Sequence, residues 1–186
     1  MIPNGVDLDR FRPIAQDEAR ARLGWAIDEP CAIFVGNPDI PVKNFALAEE
    51  VHRRAARSRP GLQLRVAGSV APEDVPVWMS AADALLFTSQ SEGSPNVIKE
   101  AMASALPIVS TPVGDVPERL AGVAGCHVCE PDPDVLAAAL LQALDHGRSP
   151  EARAAVEPLG LDAVAKRVLG VYEGVLAARS NGHVAH

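Results

Sequence analysis

The chain is poor in aromatic residues, 4% of 186, and holds only three cysteines. It has no uninterrupted apolar stretch of the roughly 18 residues that a spanning helix requires, so no membrane span is expected. It has no surplus of positive charge: 17 Lys and Arg stand against 24 Asp and Glu, a formal net charge of −7. That balance excludes a nucleic-acid groove, which needs a dense basic face. The basic residues that do cluster, Arg53, Arg54, Arg57 and Arg59, read as the wet side of a helix. An odd and small cysteine count excludes a disulfide framework and fits a reducing, cytoplasmic compartment. The opening MIPNGVDLDRF lacks a basic segment followed by an apolar one, so no signal peptide is expected. Cys126 and Cys129 form a C-x-x-C, but GVAGCHVCEPD reads as a short strand in which the two side chains point to opposite faces. A second ligand pair is missing, so no metal site is expected.

What is present is apolar residue in quantity, 48%, enough for one domain with a real core. Short apolar runs alternate with helical patterns. Residues 31–36, 62–68, 82–89 and 106–111 read as strands, and CHVC as a last one. Residues 44–58 form an amphipathic helix pattern with Phe45, Ala48, Val51 and Ala55 on one stripe. Further helices are expected over 73–82, interrupted by Pro76, over 95–105, briefly at VPERLAG, over 133–147 and over 161–180. Repeated strand–helix–strand units with right-handed crossovers predict an α/β domain, a doubly wound parallel sheet of Rossmann-like type. Residues 1–15, with Asn4-Gly5 as a turn signal between Pro3 and Pro13, read as a linker. Residues 16–180 read as the domain and 181–186 as a disordered tail whose His183 and His186 are not ligands.

In an open parallel sheet, ligands sit beyond the carboxyl ends of the strands. Here those ends read Gly36-Asn37, Gly68-Ser69, Thr88-Ser89 leading to Glu92, and Thr111 through Asp115. Small residues on one edge suit a backbone that a ligand approaches closely. After the third strand, SEGSPNVIKEA sets Glu92 and Glu100 eight positions apart around a helix start. Ser94 can cap that helix and Pro95 can be its first residue, leaving the N–H groups of Asn96, Val97 and Ile98 at the positive end of the dipole. That is an anion site. Carboxylates accept hydrogen bonds from sugar hydroxyls, so one molecule could meet both glutamates and the amides between them. On spacing alone, a loop charge and a solvated helix residue explain the two glutamates equally well. Lys43 opens the preceding helix pattern, where a cation is disfavoured unless an anion is held nearby.

The segments IPNGVDLDRFRP, FVGNPDIPVKN and AADALLFTSQSEGSPNVIKEAMASALPIVSTPVGDVPE resemble the interdomain segment, the G-R-x5-K loop and the signature block of the retaining GT-B glycosyltransferases of family 4. The resemblance is to their C-terminal, donor-binding domain, one half of a GT-B fold, and it covers nearly the whole chain. It implies that Glu92 contacts donor-sugar hydroxyls and Glu100 the ribose hydroxyls. It implies that Gly93, Ser94, Asn96 and Val97 surround sugar and diphosphate, largely through backbone, alongside Gly36, Asn37 and Gly68. It implies that Lys43 neutralises the departing diphosphate, with Glu92 and Lys43 as the catalytic pair. The substrate would be a nucleotide-diphosphate sugar, with no cofactor or metal. The partner would be an N-terminal GT-B domain absent from these residues, and any peripheral membrane association would run through that domain. Two positions depart from the family pattern. Asn37 replaces an arginine, six residues before Lys43, and Pro95 replaces a common glycine. A stand-alone nucleotide-binding or interaction module is the competing reading. A GT-B epimerase or phosphorylase is a weaker one, since no cofactor-lysine motif is visible. Apart from its partner domain, the chain is expected to self-associate weakly through apolar residues.

Overall fold

A computed structural model of the chain describes residues 2–182. Five parallel strands form one sheet: β1 (Cys31–Val35), β2 (Gln63–Ala67), β3 (Ala84–Phe87), β4 (Ile108–Ser110) and β5 (His127–Val128), in the order β2-β1-β3-β4-β5. The helices are α1 (Gln16–Leu23), α2 (Phe45–Ser58), α3 (Val75–Ala81), α4 (Asn96–Ala103), α5 (Val116–Leu120), α6 (Pro133–His146), α7 (Pro150–Val156) and α8 (Leu161–Gly182). The order reverses between β1 and β3, so the chain leaves these two neighbours in opposite directions. In open α/β sheets that reversal is where ligands bind, beyond the carboxyl ends of the two strands.

The central strands are apolar on both faces because both faces are covered. Ile33, Leu85, Phe87 and Ile108 join one core with Ile98, Met102 and Val156. The alternate residues Ala32, Phe34, Leu86 and Val109 join a second core with Val51, Leu136 and Leu140. Ala48, Val51 and Ala55 of the expected α2 stripe are buried, and Phe45 packs partly buried at its end. Cys126 packs against the first core and Cys129 against the second, so the C-x-x-C side chains do face opposite ways. Burial pushes the Cys126 thiol up to about 11 and the Cys31 thiol up to about 12, away from reactive thiolate.

Several local expectations are corrected. Pro76 does not interrupt a helix: a 3-10 turn (Pro72–Asp74) precedes α3, and Pro76 sits in its first turn, where the lost N–H is harmless. Two helices went unread. The segment of α1, QDEARARL, has no apolar stripe. It is held by polar side chains: buried Arg20 donates through Nε to the Ala81 carbonyl at 2.9 Å and through Nη2 to Asp83 Oδ2 at 2.8 Å. In α7, Ser149 accepts from the Ala152 N–H at 3.2 Å and Pro150 follows it, a cap visible in the sequence but not used.

The arm over residues 2–15 is packed into the domain. Val6 and Phe11 are buried, and Val6 pairs with the chain before α8, its N–H donating to Leu159 O at 2.9 Å and its carbonyl accepting from Leu161 at 3.0 Å. Helix α8 runs two residues beyond 180, through Asn181 and Gly182. Residues 183–186, where His183 and His186 fall, lie outside the described residues. Of the arginines expected on a wet helix face, Arg53 is well exposed, while Arg54 pairs with Glu50 at 2.6 Å and also with Asp134, and Arg59 pairs with Asp145. No helix among the described residues is long and apolar enough to cross a membrane.

Candidate active site at the switch point

The loops leaving β1 and β3 meet where the strand order reverses. After β1, Gly36 takes φ +137°, and the chain turns at Asn37, whose Oδ1 accepts from the Asp39 N–H at 2.9 Å. A 3-10 turn (Pro41–Lys43) follows, and Asn44, left-handed at φ +51°, starts α2. Beyond β3, Thr88 Oγ1 donates to the carbonyls of Lys43 at 3.1 Å and Asn44 at 3.0 Å. The Gln90 N–H donates to Val42 O at 2.8 Å. These bonds fix one loop against the other.

On that frame Lys43 and Glu92 come together. Lys43 Nζ donates to Glu92 Oε1 at 2.7 Å, and Ser89 Oγ donates to the same oxygen at 3.2 Å. Lys43 is 25% exposed and Glu92 21%, so the pair is partly desolvated yet open to an incoming group. Lys43 also lies 5.8 Å from the centre of the Phe87 ring. Its charge is therefore turned toward the loop before α4 rather than left over the start of α2.

The start of α4 differs from the expected arrangement. Pro95, with φ −68° and ψ 125°, is the cap, Asn96 is the first helical residue, and no side chain caps the helix. Ser94 cannot fill that role because its hydroxyl is used elsewhere: it donates to Asp115 Oδ2 at 2.9 Å and accepts from Lys99 Nζ at 3.2 Å. The first-turn N–H groups of Asn96, Val97 and Ile98 are left without intrahelical partners, so the amide-rich front remains. Gly93 is exposed, and a Cβ placed on it would meet nothing within 4 Å.

Behind this loop stands the turn after β4. The Asp115 N–H donates to Gly93 O at 3.0 Å, and Arg119 Nε donates to Asp115 Oδ2 at 3.0 Å. Gly114, at φ +55°, lies so close that a Cβ there would stand 2.1 Å from Gly93 O and 2.7 Å from Glu92 O. Gly68 is close-packed as well: its Cβ would meet Gly36 O at 3.0 Å and Pro38 Cδ at 3.1 Å, so the β2 end is a glycine for packing against the β1 loop. Glu100 is half-buried on α4. Burial raises its carboxyl above the ordinary value, opposed by the charges of Arg10 and Lys99. Sequence reasoning passed over Lys99, Asp115 and Gly114. The last two were visible as the end of the fourth strand, and Lys99 had no signal beyond its place on a buried helix face. Among the described residues no cluster of three or more His, Cys, Asp or Glu is poised for a metal.

Residues 29–146 match the family described as Glycosyl transferases group 1. The D-inositol 3-phosphate glycosyltransferase of Mycolicibacterium smegmatis is 30% identical over 188 aligned positions, 84% of this chain and 42% of that protein. The enzyme of the same name from Mycobacterium bovis is 32% identical over 147 positions, 63% of this chain and 30% of that protein. The chain therefore spans less than half the length of these curated relatives. Among solved structures, sucrose-phosphate synthase from Thermosynechococcus elongatus superposes with a TM-score of 0.81 at 24% identity, over 95% of this chain and 52% of that one. The C-terminal domain of a group 1 glycosyl transferase, LpcC, from Francisella tularensis superposes with a TM-score of 0.65 at 18% identity, over 88% of this chain and 98% of that domain. The fold is thus that of GT-B glycosyltransferase structures, of the C-terminal type, and the chain belongs to the glycosyl transferases group 1 family.

Proposed function

We propose that this chain is the donor-binding domain of a retaining glycosyltransferase, holding a nucleotide-diphosphate sugar across the β1–β3 crevice. The observation that carries the reading is the Lys43–Glu92 contact of 2.7 Å, which brings together a cation and an acceptor from two strand ends on the loop that leads into the uncapped α4. Without donor, each neutralises the other. With donor, Lys43 turns its charge to the diphosphate, Glu92 accepts from sugar hydroxyls, and the Asn96, Val97 and Ile98 amides complete the phosphate cradle. Negative charge that builds on the departing diphosphate is then stabilised by Lys43 and by preorganised amides. Glu100 faces the ribose hydroxyls, and its raised carboxyl pKa means that donor hydrogen bonds to it offset an existing desolvation cost. Gly93 supports the reading because the chain itself does not require a glycine there: its φ is not positive and a Cβ would have space. A ligand backing onto the loop is what excludes a side chain.

Transfer to an acceptor requires a second domain to position it and exclude water. The unpaired cysteines support a reducing, cytoplasmic setting. A second reading, a nucleotide-binding module without transfer, is favoured by Asn37. Its side chain closes a turn by accepting from Asp39 and brings no charge to the position where the resembling enzymes carry arginine.

Calorimetric titration of the folded chain with uridine, guanosine and adenosine diphosphates tests the site. One of the three is expected to bind weakly, and Lys43→Met to weaken it by about tenfold, the loss of one charged hydrogen bond. Absence of heat with all three overturns the reading.

A further inference from the structure

Lys99 has the largest of the fully buried side chains, at 1% exposure, and it sits in the middle of the signature helix. Its ammonium makes no ion pair among the described residues. It donates to two neutral acceptors, Asn4 O at 3.0 Å and Ser94 Oγ at 3.2 Å. A buried cation whose direct partners are both neutral is costly, even with the carboxylates of Asp115 and Glu100 near enough to favour its charge, and a methionine or leucine would fill an apolar helix face with a smaller desolvation penalty. The position therefore calls for a use of the hydrogen bonds the charge makes.

Those bonds end on the candidate site. Ser94 Oγ accepts from Lys99 and so has its single proton directed to Asp115 Oδ2, 2.9 Å away. Asp115 in turn binds the Gly93 carbonyl through its own N–H at 3.0 Å and is braced by Arg119 at 3.0 Å. Take the ammonium away and the Ser94 hydroxyl loses its orienting donor, while the Asn4 carbonyl of the packed arm loses the hydrogen bond it accepts from Lys99. The loop carrying Glu92 and Gly93 would then be held from behind by one side only.

We infer that Lys99 is a positioning residue of this site: its buried ammonium locks the Ser94 hydroxyl onto Asp115 and thereby holds the 92–96 loop in the geometry that binds a nucleoside diphosphate. The inference rests on the donor-site reading above. It gives the Ser94 hydroxyl a task other than the helix cap read from its place in the sequence. The serine side chain faces the protein, and only its backbone is left for the ligand.

The test uses Lys99→Met, Ser94→Ala and the double variant, each checked for a cooperative melt. Each is titrated with the diphosphate that the wild-type chain binds, and, by NMR shift perturbation, with the matching nucleoside. The expected result is a loss of about tenfold in diphosphate affinity for each single variant, the scale of a charge-assisted hydrogen bond. Nucleoside affinity is expected to stay unchanged. The double variant is expected to be no weaker than Lys99→Met alone, because the two residues act through one contact. Wild-type diphosphate affinity in folded Lys99→Met, an equal loss for the nucleoside, or additive losses each overturn the inference. Should Lys99→Met not fold, Ser94→Ala decides: a diphosphate-selective loss supports the inference and wild-type affinity overturns it. A wild-type chain that binds no diphosphate sinks the donor-site reading and this inference with it. A wild-type chain that binds, with folded Lys99→Met binding equally well, sinks this inference alone.

Discussion

Replacing Gly114 by alanine adds one methyl group at the point where the β4 turn backs onto the candidate site. The residue has φ +55°, and left-handed backbone costs a non-glycine residue about 1–2 kcal/mol. The new Cβ would stand 2.1 Å from Gly93 O and 2.8 Å from Gly93 C, both backbone atoms. Neither can swing aside as a side chain would, because the Asp115 N–H holds that carbonyl at 3.0 Å. Overpacking of this kind costs typically about 1–3 kcal/mol, so the two effects together come to roughly 2–5 kcal/mol. For a domain of this size that lowers the melting temperature by roughly 5–15 °C. Because the atoms displaced belong to Glu92 and Gly93, diphosphate affinity falls in the same variant. Gly93→Ala is the matched control. Its Cβ meets nothing within 4 Å, so its melting temperature stays within about a degree or two of wild type while diphosphate binding is lost. Differential scanning calorimetry and titration on the two variants read both quantities. A Gly114→Ala protein with wild-type melting and affinity would refute the reasoning, and so would a Gly93→Ala protein that binds as well as wild type.

Glu100→Gln is expected to raise the melting temperature at pH 7 while weakening nucleotide binding. Burial raises the Glu100 carboxyl above 4.5, so the charged form is disfavoured in the fold; the penalty is absent below about pH 4.5, grows as pH rises through the folded value, and the gain from glutamine should shrink toward zero at pH 4 in thermal melts. Ala105 is buried at φ +53°, so Ala105→Gly removes about 1–2 kcal/mol of left-handed strain against about 0.5–1 kcal/mol of added chain entropy, and chemical denaturation should show equal or higher stability. Along α8, Leu169, Val171, Tyr172 and Val175 are 54–65% exposed, and sedimentation velocity at rising concentration should show reversible association that Leu169→Glu with Val175→Lys abolishes; a monomer at every concentration would contradict this.

The elements legible in the sequence were those whose local pattern and burial agree. The central strands are apolar on both faces, and α2 and α6 carry stripes or caps that a single sheet face satisfies. Helix α1 was not legible because polar side chains hold it: Arg20 reaches the carbonyl end of α3, and no hydrophobic period marks that. In the candidate site, Glu92, Lys43 and the amides of Asn96, Val97 and Ile98 were readable from loop chemistry at strand ends. The cap was misassigned because Ser94 has the right chemistry for a cap, and only the approach of Asp115, 21 positions along the chain, draws its hydroxyl away.

From its own order of residues, then, this protein has its alternation of strand and helix, its acidic charge, and the glycine-rich edge with two glutamates around a helix start. These depend on neighbours a few positions apart, whose spacing is written in the chain. The tertiary structure decided which groups meet: Lys43 with Glu92 across 49 positions, and Lys99 with Asn4 across 95. Such pairings follow from the reversal between β1 and β3 and from close packing behind the loop. A few tenths of an ångström there select one hydroxyl orientation, and no local propensity carries that information.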